Sequence, residues 1–168
     1  TSAEHFDLDL HNFLKSADNL VLGTTVVTNT MLEYSGANTG LITTKGFRDI
    51  IELRTGYKED HFDIRLPAPY PIIPRQRRLG VTERINHLGE IVLALDEDEV
   101  REAIYTLKQL GVESIAVCLL FSFKNSDHEE RVREIIKEEF SEAHISLSSE
   151  VLPQVREFER FSTTILNA

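Results

Sequence analysis

The stretch DEDEVREAIYTLKQLGVESIAVCLLF, residues 96–121, decides the fold. The acidic residues at its start complement the positive end of a helix dipole. Apolar residues then recur every three or four positions and predict a helix that ends at Gly111. Its predicted buried stripe consists of Val100, Ala103, Ile104, Leu107 and Leu110. Residues 114–121 are almost continuously apolar, which is typical of a strand buried on both faces of a sheet.

The same alternation continues to the end of the chain. Asn125 or Ser126 is expected to cap a further helix, whose apolar positions are Val132, Ile135, Ile136 and Phe140. Residues 145–148 predict a short strand and residues 153–168 a final helix. Strands separated by helices of this length imply right-handed crossovers. The predicted fold class is therefore α/β, with a mostly parallel sheet and flanking helices.

The first part of the chain carries a weaker version of this pattern. Residues 10–17 have helical spacing, residues 19–23 resemble a short buried strand, and residues 24–34 predict a helix that stops at Ser35-Gly36. A strand over residues 39–43 and a short helix over residues 45–53 follow. These elements extend the α/β pattern towards the start of the chain.

The periodicity disappears between the two parts. Four of the five prolines fall in residues 54–78, which predict a loop-like excursion. Residues 79–85 alternate at period two, residues 86–89 form a turn signal and residues 90–93 resemble a second strand, so a β-hairpin is expected. We treat residues 1–168 as one region, in which the excursion at about 54–78 is the only candidate boundary.

Composition excludes several classes of protein. Hydrophobic residues are 41% and charged residues 27% of the chain, which is ordinary for a globular protein. The net charge of -10 argues against nucleic acid, because phosphate binding needs a basic surface. No apolar run approaches the roughly 20 residues of a membrane span. The single cysteine, Cys118, is expected to be a buried structural thiol, which fits a reducing cytoplasm.

Gly23, Thr24 and Thr25 form the strongest candidate site for a substrate. A glycine at a strand end lets a ligand approach the backbone. Two hydroxyls and the amides of a helix start can bind an anion or a polarised carbonyl. Asn29 comes four residues after Thr25 and shares its helical face. The alternative is that the threonines cap the helix and Asn29 is merely exposed.

Two further clusters are weaker candidates. Thr43, Thr44 and Arg48 follow a strand, at the end where open α/β sheets bind ligands. The alternative is a capped turn with surface ion pairs. Arg156 and Arg160 are four residues apart on the predicted last helix and are suited to hold a phosphate or carboxylate. The alternative there is a solvated, salt-bridged helix face.

No metal site is expected, and no catalytic residue is assigned. The six histidines are scattered without metal-ligand spacing. His61, which lies beside Asp60 and close to Asp63 in the excursion, is a weak exception. The chain also has neither a Gly-x-Ser-x-Gly elbow nor a glycine-rich phosphate loop.

Three long segments resemble one known family. They are residues 23–49, which begin GTTVVTNTMLE, residues 117–129, which begin VCLLFSF, and residues 146–168, which contain SLSSEVLP and REFER. In order and spacing they look like the N-terminal region of the hydantoinase A/5-oxoprolinase family, which also includes acetone and acetophenone carboxylase subunits. The resemblance runs from about Leu20 to Ala168.

The resemblance implies that the chain is a fragment of a larger cytoplasmic enzyme with an actin-like ATPase fold. Such an enzyme would hydrolyse a cyclic amide, such as hydantoin, N-methylhydantoin or 5-oxoproline, after phosphoryl transfer from ATP with Mg²⁺. A subunit of an ATP-dependent carboxylase acting on a ketone is the alternative enzyme. A non-catalytic assembly or binding module is the alternative of another class. The resemblance also implies a second, hydantoinase B-like subunit or domain.

The chain departs from the family in two places. Leu22 stands where the family commonly has a histidine before Gly-Thr-Thr, which favours a different substrate or mechanism. The family's Asp-x-Gly-Gly-Thr phosphate-binding stretch does not occur in this sequence. ATP and Mg²⁺ are therefore expected to bind mostly outside this segment, and the isolated segment is expected to be inactive.

Overall fold

A computed structural model describes residues 9–15, 24–56, 62–63, 65–66 and 70–168. The chain divides into two units, Thr1–Ser35 and Gly36–Ala168. Both flanks of the proline-rich excursion belong to the second unit. Within the described residues, no helix is long and apolar enough to cross a membrane.

The first unit contains the helices α1 (Leu10–Lys15) and α2 (Val26–Glu33). They confirm the helices predicted over residues 10–17 and 24–34. Helix α2 ends at Tyr34, whose backbone adopts the left-handed conformation with φ 51° and ψ 34°. This turn stops the helix just before Ser35-Gly36. The strand predicted over residues 19–23 lies outside the described residues.

The second unit is built on a parallel sheet. Its elements are, in chain order, β1 (Thr39–Thr44), α3 (Ile50–Leu53), β2 (Arg78–Val81), β3 (Arg84–Ile85), β4 (Ile91–Leu93), α4 (Glu97–Gln109), β5 (Ser114–Cys118), α5 (Asp127–Glu139), β6 (His144–Leu147), α6 (Ser148–Val151) and α7 (Glu157–Asn167). The sheet order is β2-β1-β5-β6, and every neighbouring pair is parallel. This confirms the predicted α/β class. Strands β3 and β4 form the predicted antiparallel hairpin in a separate sheet.

Apolar side chains cover both faces of the sheet, which explains why β5 is apolar throughout. One core includes Leu41, Ile51, Ala116, Cys118, Phe161 and Ile165. The other includes Ile42, Val100, Leu107, Val117, Ile135, Ile136 and Leu147. Successive residues of a strand point to opposite faces, so Leu41 and Ile42 belong to different cores. Each fully buried side chain of this kind stabilises the fold by about 1.5–3 kcal/mol.

Side-chain hydrogen bonds stabilise the start of α4 and the turn before α5. The Asp96 side chain accepts hydrogen bonds from the amides of Asp98 (3.1 Å) and Glu99 (3.0 Å) at the start of α4. Before α5, the Asn125 side chain accepts a hydrogen bond from the amide of Asp127 at 2.9 Å. Of the two cap residues predicted for α5, Asn125 therefore makes the side-chain bond. Leu110 was predicted in the buried stripe of α4, but it lies at the C-cap and is 39% exposed.

The strand predicted over residues 79–85 is two strands. Its first part joins the main sheet as β2, and only Arg84–Ile85 pairs in the hairpin. Gly80 permits this arrangement, because a Cβ added there would lie 2.9 Å from the Cα of Lys45. A larger residue would separate β2 from the turn that follows β1. Pairing with two different strands has therefore divided residues 79–85, although their apolar and polar residues alternate uniformly.

Two predicted helices begin later than expected. The helix predicted over residues 153–168 begins at Glu157, because Arg156 has the non-helical angles φ 80° and ψ 99°. The helix predicted over residues 45–53 begins at Ile50, after turns at residues 45–49. Within the described part of the excursion, residues 54–56, 62–63, 65–66 and 70–78, the regular structure is a 3-10 turn (Arg75–Arg77) and the first residue of β2.

Candidate functional site

The order of the strands indicates where a ligand would be expected at the carboxyl edge of the sheet. The chain passes from β1 outward to β2 and then returns across β1 to β5, so the direction of winding reverses between β1 and β5. In open α/β sheets, ligands bind outside the carboxyl ends of the strands at such a switch point. The residues that follow β1 and β5 are therefore the first to consider.

Three side chains form a hydrogen-bonded network that starts at this switch point. The Thr44 hydroxyl, at the carboxyl end of β1, donates to Oε1 of Glu83. The same hydroxyl accepts a hydrogen bond from the amide of Leu120, just beyond β5, at 3.0 Å. Oε2 of Glu83 lies 2.9 Å from Nδ1 of His128. Residues from β1, from the segment after β2 and from the start of α5 thus meet at one edge.

The Glu83–His128 pair has the geometry of a carboxylate that orients an imidazole. The Glu83 side chain is fully buried and the His128 side chain keeps 7% of its surface exposed. A carboxylate can only accept a hydrogen bond, so Nδ1 of His128 carries the ring proton and donates it to Glu83. In the neutral form of the ring Nε2 is then the acceptor, and it has no hydrogen-bond partner within the part of the chain that the structure describes. This arrangement can bind a donor or accept a proton.

Glu129, the next residue, is buried in a different way. Its Oε1 accepts hydrogen bonds from the amide of Leu119 at 2.9 Å and from the hydroxyl of Ser148 at 2.6 Å. Its Oε2 accepts one from the amide of Ser149 at 2.9 Å. The Ser122 and Ser148 hydroxyls are 2.9 Å apart. Glu129 therefore ties the carboxyl ends of β5 and β6 together.

Arg160 supports the same edge from α7. Its guanidinium is fully buried and donates to the carbonyl of Leu119 at 2.9 Å and to that of Gln154 at 3.3 Å. It also lies 5.2 Å from the ring centroid of Phe123 and 5.6 Å from that of Phe161. Burial lowers the pKa of Arg160, and the charge of Glu129 opposes that shift.

The two threonines predicted at the end of β1 are both engaged inside the protein. The Thr43 hydroxyl donates to the carbonyl of Cys118 at 2.8 Å, and its side chain is fully buried. Thr44 makes the bonds described above. Both lie at the carboxyl end of β1, and the partners of both hydroxyls lie within the fold. A direct contact of either with substrate stays a prediction.

Arg48 lies in the turn before α3 and is half-buried. Its neighbour Asp49 receives hydrogen bonds from Nε and Nη2 of Arg75, both at 3.1 Å, which lower the pKa of Asp49. The buried guanidinium of Arg78 donates to Glu52 at 3.0 Å and to the carbonyl of Ile73 at 2.8 Å. These bonds fix the turn that carries Arg48. A substrate contact by Arg48 remains a prediction.

The first unit holds Thr24, Thr25 and Asn29. The Thr24 hydroxyl accepts a hydrogen bond from the amide of Val26 at 3.3 Å, so it caps α2. The Thr25 carbonyl accepts one from the amide of Asn29 at 2.9 Å, which places these two residues one helical turn apart. All three residues are exposed. Gly23 lies outside the described residues, and ligand binding by this group stays a prediction.

Arg156 and Arg160 do not share a helix face, contrary to the expectation. Arg156 precedes α7, and its exposed side chain lies 3.8 Å from Glu159. Arg160 points into the core. Arg156 instead borders a cavity of about 430 Å³ together with Arg54, Thr55, Glu157, Phe158 and Glu159. Anion binding by Arg156 remains a prediction, whereas the guanidinium of Arg160 already donates hydrogen bonds to backbone carbonyls.

Cys118 is the buried thiol that the sequence predicted. Its side chain is fully buried in the sheet, and this burial raises the pKa of the thiol well above its usual value. A thiol that stays protonated is a poor nucleophile. Its role is therefore structural.

Sequence reasoning found Thr44 but missed its partners at the carboxyl edge, Glu83 and His128. Glu83 and His128 lie 45 positions apart and neither stands in a motif with an assigned role. The available signal was positional: polar residues that directly follow a strand, or that lie in the first turn of the next helix, meet at the carboxyl edge of a parallel sheet. Within the described residues, no group of three or more metal-binding side chains occurs.

Known proteins resemble this chain in both sequence and structure. Residues 6–140 match the family described as hydantoinase/oxoprolinase N-terminal region. The chain is 37% identical to the acetophenone carboxylase gamma subunit of Aromatoleum aromaticum, over 96% of this chain and 24% of that protein.

Two solved structures share the fold. The crystal structure of ATP-dependent caprolactamase from Pseudomonas jessenii is 31% identical, with a TM-score of 0.84 over 99% of this chain and 24% of that one. The nucleotide-free structure of acetone carboxylase is 30% identical, with a TM-score of 0.86 over 98% of this chain and 25% of that one. The chain thus spans about a quarter of the length of the relatives it matches.

Proposed function

This chain belongs to the hydantoinase/oxoprolinase family, and on that premise we propose that its parent protein is an ATP-dependent enzyme that hydrolyses a cyclic amide. The observation that carries the proposal is the match to ATP-dependent caprolactamase over 99% of the chain. A lactam is a cyclic amide, and its carbonyl carbon is a poor electrophile. Phosphorylation of the carbonyl oxygen creates a leaving group and makes ring opening feasible.

ATP is a substrate of this reaction, and Mg²⁺ is its usual companion in phosphoryl transfer. The described part of the chain has no cluster of three or more metal-binding side chains. We therefore assign no step to a metal held by these residues. Binding of ATP and Mg²⁺ mostly outside this segment is part of the proposal for the parent protein.

Within this segment, the proposal gives substrate binding to Gly23, Thr24, Thr25 and Asn29. Their support is the exposed start of α2, where Thr25 and Asn29 lie one turn apart. Thr25→Ala and Asn29→Ala in the full-length enzyme should each raise the KM for the organic substrate. Thr28→Ala, an exposed neighbour on the same helix, is the matched control. Unchanged kinetics in both site variants would remove this site.

ATP turnover by the full-length protein tests the activity itself. Hydantoins, 5-oxoproline, caprolactam and ketones are offered separately, and ADP release is measured with and without each. We expect release to depend on a cyclic amide. Folded protein that releases no ADP with any of them would refute the enzyme assignment. It would favour a non-catalytic assembly or binding module, the reading that Leu22 in place of the family's usual histidine also supports.

A carboxylase subunit is the second candidate. The 37% identity to an acetophenone carboxylase gamma subunit favours it. ADP release that requires both a ketone and bicarbonate would identify this activity instead. We further propose that the parent protein acts in the cytoplasm with a second, hydantoinase B-like subunit or domain. That the matched relative is a gamma subunit supports the existence of a partner. Affinity purification of the full-length protein from its own host should then recover such a subunit in a fixed ratio.

A further inference from the structure

The Glu83–His128 pair is the described group whose chemistry the proposed function has not used. The polar atoms of Glu129 and Arg160 are hydrogen-bonded to backbone and serine groups, apart from Nε of Arg160. His128, in contrast, spends Nδ1 on Glu83 and leaves Nε2 without a partner within the described residues. A neutral imidazole fixed in this way presents a lone pair in one direction. Glu83 connects this imidazole to Thr44, at the switch point of the sheet.

Phosphorylation of an amide oxygen requires a group that accepts a proton. When the carbonyl oxygen bonds to the γ-phosphorus of ATP, the bond to the β-phosphate oxygen breaks and its electron pair leaves with ADP. The amide N–H bond also breaks, and its electron pair forms the C=N bond of an O-phosphorylated imidate. The proton must pass to a base. With a ketone, a C–H bond next to the carbonyl breaks instead, and the product is an enol phosphate.

We propose that His128 is this base, and that its Nε2 accepts the proton released from the atom next to the carbonyl carbon. The proposal rests on the function proposed above and deepens it. Because cyclic amides and ketones release a proton from equivalent positions, one base serves both reaction types. His128 therefore does not distinguish a hydrolase from a carboxylase, and the choice between them falls to residues that shape the substrate pocket.

Glu83 and Thr44 act as positioning residues for His128. The carboxylate of Glu83 holds Nδ1–H at 2.9 Å, which fixes the tautomer and the plane of the ring. Thr44 holds the other carboxylate oxygen and is itself anchored by the amide of Leu120. The base is thereby attached to the carboxyl ends of both β1 and β5. Its placement depends on the sheet and not on a flexible loop.

His128→Asn in the full-length enzyme is the first test. The asparagine amide can replace Nδ1–H as a donor to Glu83, so the fold is retained while the base is removed. We expect the kcat for substrate-dependent ADP release to fall about 100-fold, as is usual when a general base is lost, with the KM for ATP unchanged. In His128→Ala, added imidazole should restore part of the rate. A purely structural histidine would not respond in this way.

His144→Gln is the matched control. His144 is exposed at the amino end of β6, the opposite edge of the same sheet, and this variant should keep the wild-type rate. Wild-type ADP release that is unchanged in His128→Asn would overturn the proposal for His128 alone. No release by the wild-type enzyme with any amide or ketone would overturn the proposed function, and this proposal with it.

A measurement without nucleotide gives an independent result. In nitrogen-15 histidine spectra of the full-length protein, His128 should show a protonated Nδ1 and an unprotonated Nε2. Glu83→Gln should perturb this signal and lower kcat without changing the KM for ATP, because the ring loses its anionic anchor. A His128 ring protonated on Nε2 in the resting enzyme would contradict the proposal.

Discussion

Two buried glutamates lie at the carboxyl edge of the same sheet, and their surroundings differ. Glu129 accepts three hydrogen bonds from the segments that follow β5 and β6, and its surroundings are closed. Glu83 bonds to Thr44 and His128, and this network ends at a ring nitrogen that has no partner among the residues the structure describes. A closed network holds elements together, whereas an open one leaves an atom for chemistry. Adjacent positions in α5, His128 and Glu129, therefore serve different purposes.

The largest effect should come from breaking the closed network. Glu129→Ala removes the acceptor of the Leu119 and Ser149 amides, and the Ser148 hydroxyl keeps only its contact with Ser122. Each unsatisfied group costs about 1–3 kcal/mol, so the free energy of unfolding should fall by about 4 kcal/mol. Urea unfolding of the protein measures this. Glu130→Ala, at the next position, removes only a 3.5 Å surface pair with Arg133 and serves as the control. A similar loss in both variants would refute the role given to Glu129.

Glu83→Ala should have a smaller effect on stability. The Thr44 hydroxyl can keep its bond to the amide of Leu120, so the groups that lose their acceptor are this hydroxyl as a donor and Nδ1–H of His128. We expect the free energy of unfolding to fall by about 2 kcal/mol, from the partly unsatisfied groups that remain. The same urea experiment applies. A loss as large as that of Glu129→Ala would mean that the Glu83 network is as closed as the other.

Thr43→Val and Thr44→Val compare two neighbouring hydroxyls at the end of β1. Valine has the same shape but cannot donate to the carbonyl of Cys118. One lost hydrogen bond should lower the free energy of unfolding by about 1 kcal/mol. ADP release by the full-length enzyme should fall less than in Thr44→Val, because the Thr43 hydroxyl bonds to the carbonyl of Cys118 and the Thr44 hydroxyl bonds to Glu83. Thr44→Val should slow ADP release, and equal activity in the two variants would count against the positioning role of Thr44.

The smallest effect belongs to carboxylates at the surface, outside both networks. A hydrogen bond from Arg131 lowers the pKa of Glu97, and one from Lys45 lowers the pKa of Glu99. A lowered folded-state pKa contributes stability above the ordinary value of 4.5 that is lost as pH falls through the folded pKa. The midpoint of thermal unfolding should therefore decline slightly below about pH 4.5. Glu97→Gln should reduce this decline, and high salt should weaken it because the pairs are exposed.

The regular half of the fold was predictable because its local and tertiary preferences agree. Helix α4 has an acidic first turn, a helical apolar stripe and a terminal glycine, and β5 is apolar throughout. The segment around Gly80 was less predictable. Its period of two runs without interruption through residues 79–85, while the chain pairs first with β1 and then with β4. Local periodicity predicts that a residue is extended, but it does not predict which strand the residue pairs with.

The candidate site was predicted in part. Thr43 and Thr44 were placed correctly at a strand end, since that position depends only on the order of elements. Their hydroxyl partners, and the meeting of Glu83 with His128, depend on residues far apart in the chain. The assumption of one helix face for Arg156 and Arg160 failed because α7 begins one residue after Arg156.

By itself the sequence determined the α/β class, the order of helices and strands, the buried thiol of Cys118 and the family. These properties depend on the spacing of apolar residues and on long motifs, which can be read along one dimension. Only the tertiary structure decided which polar groups meet at the carboxyl edge. Burial requires polar atoms to find partners across the whole fold. Thr44, Glu83 and His128 therefore form one hydrogen-bonded network, while Glu129 holds the carboxyl ends of β5 and β6 together.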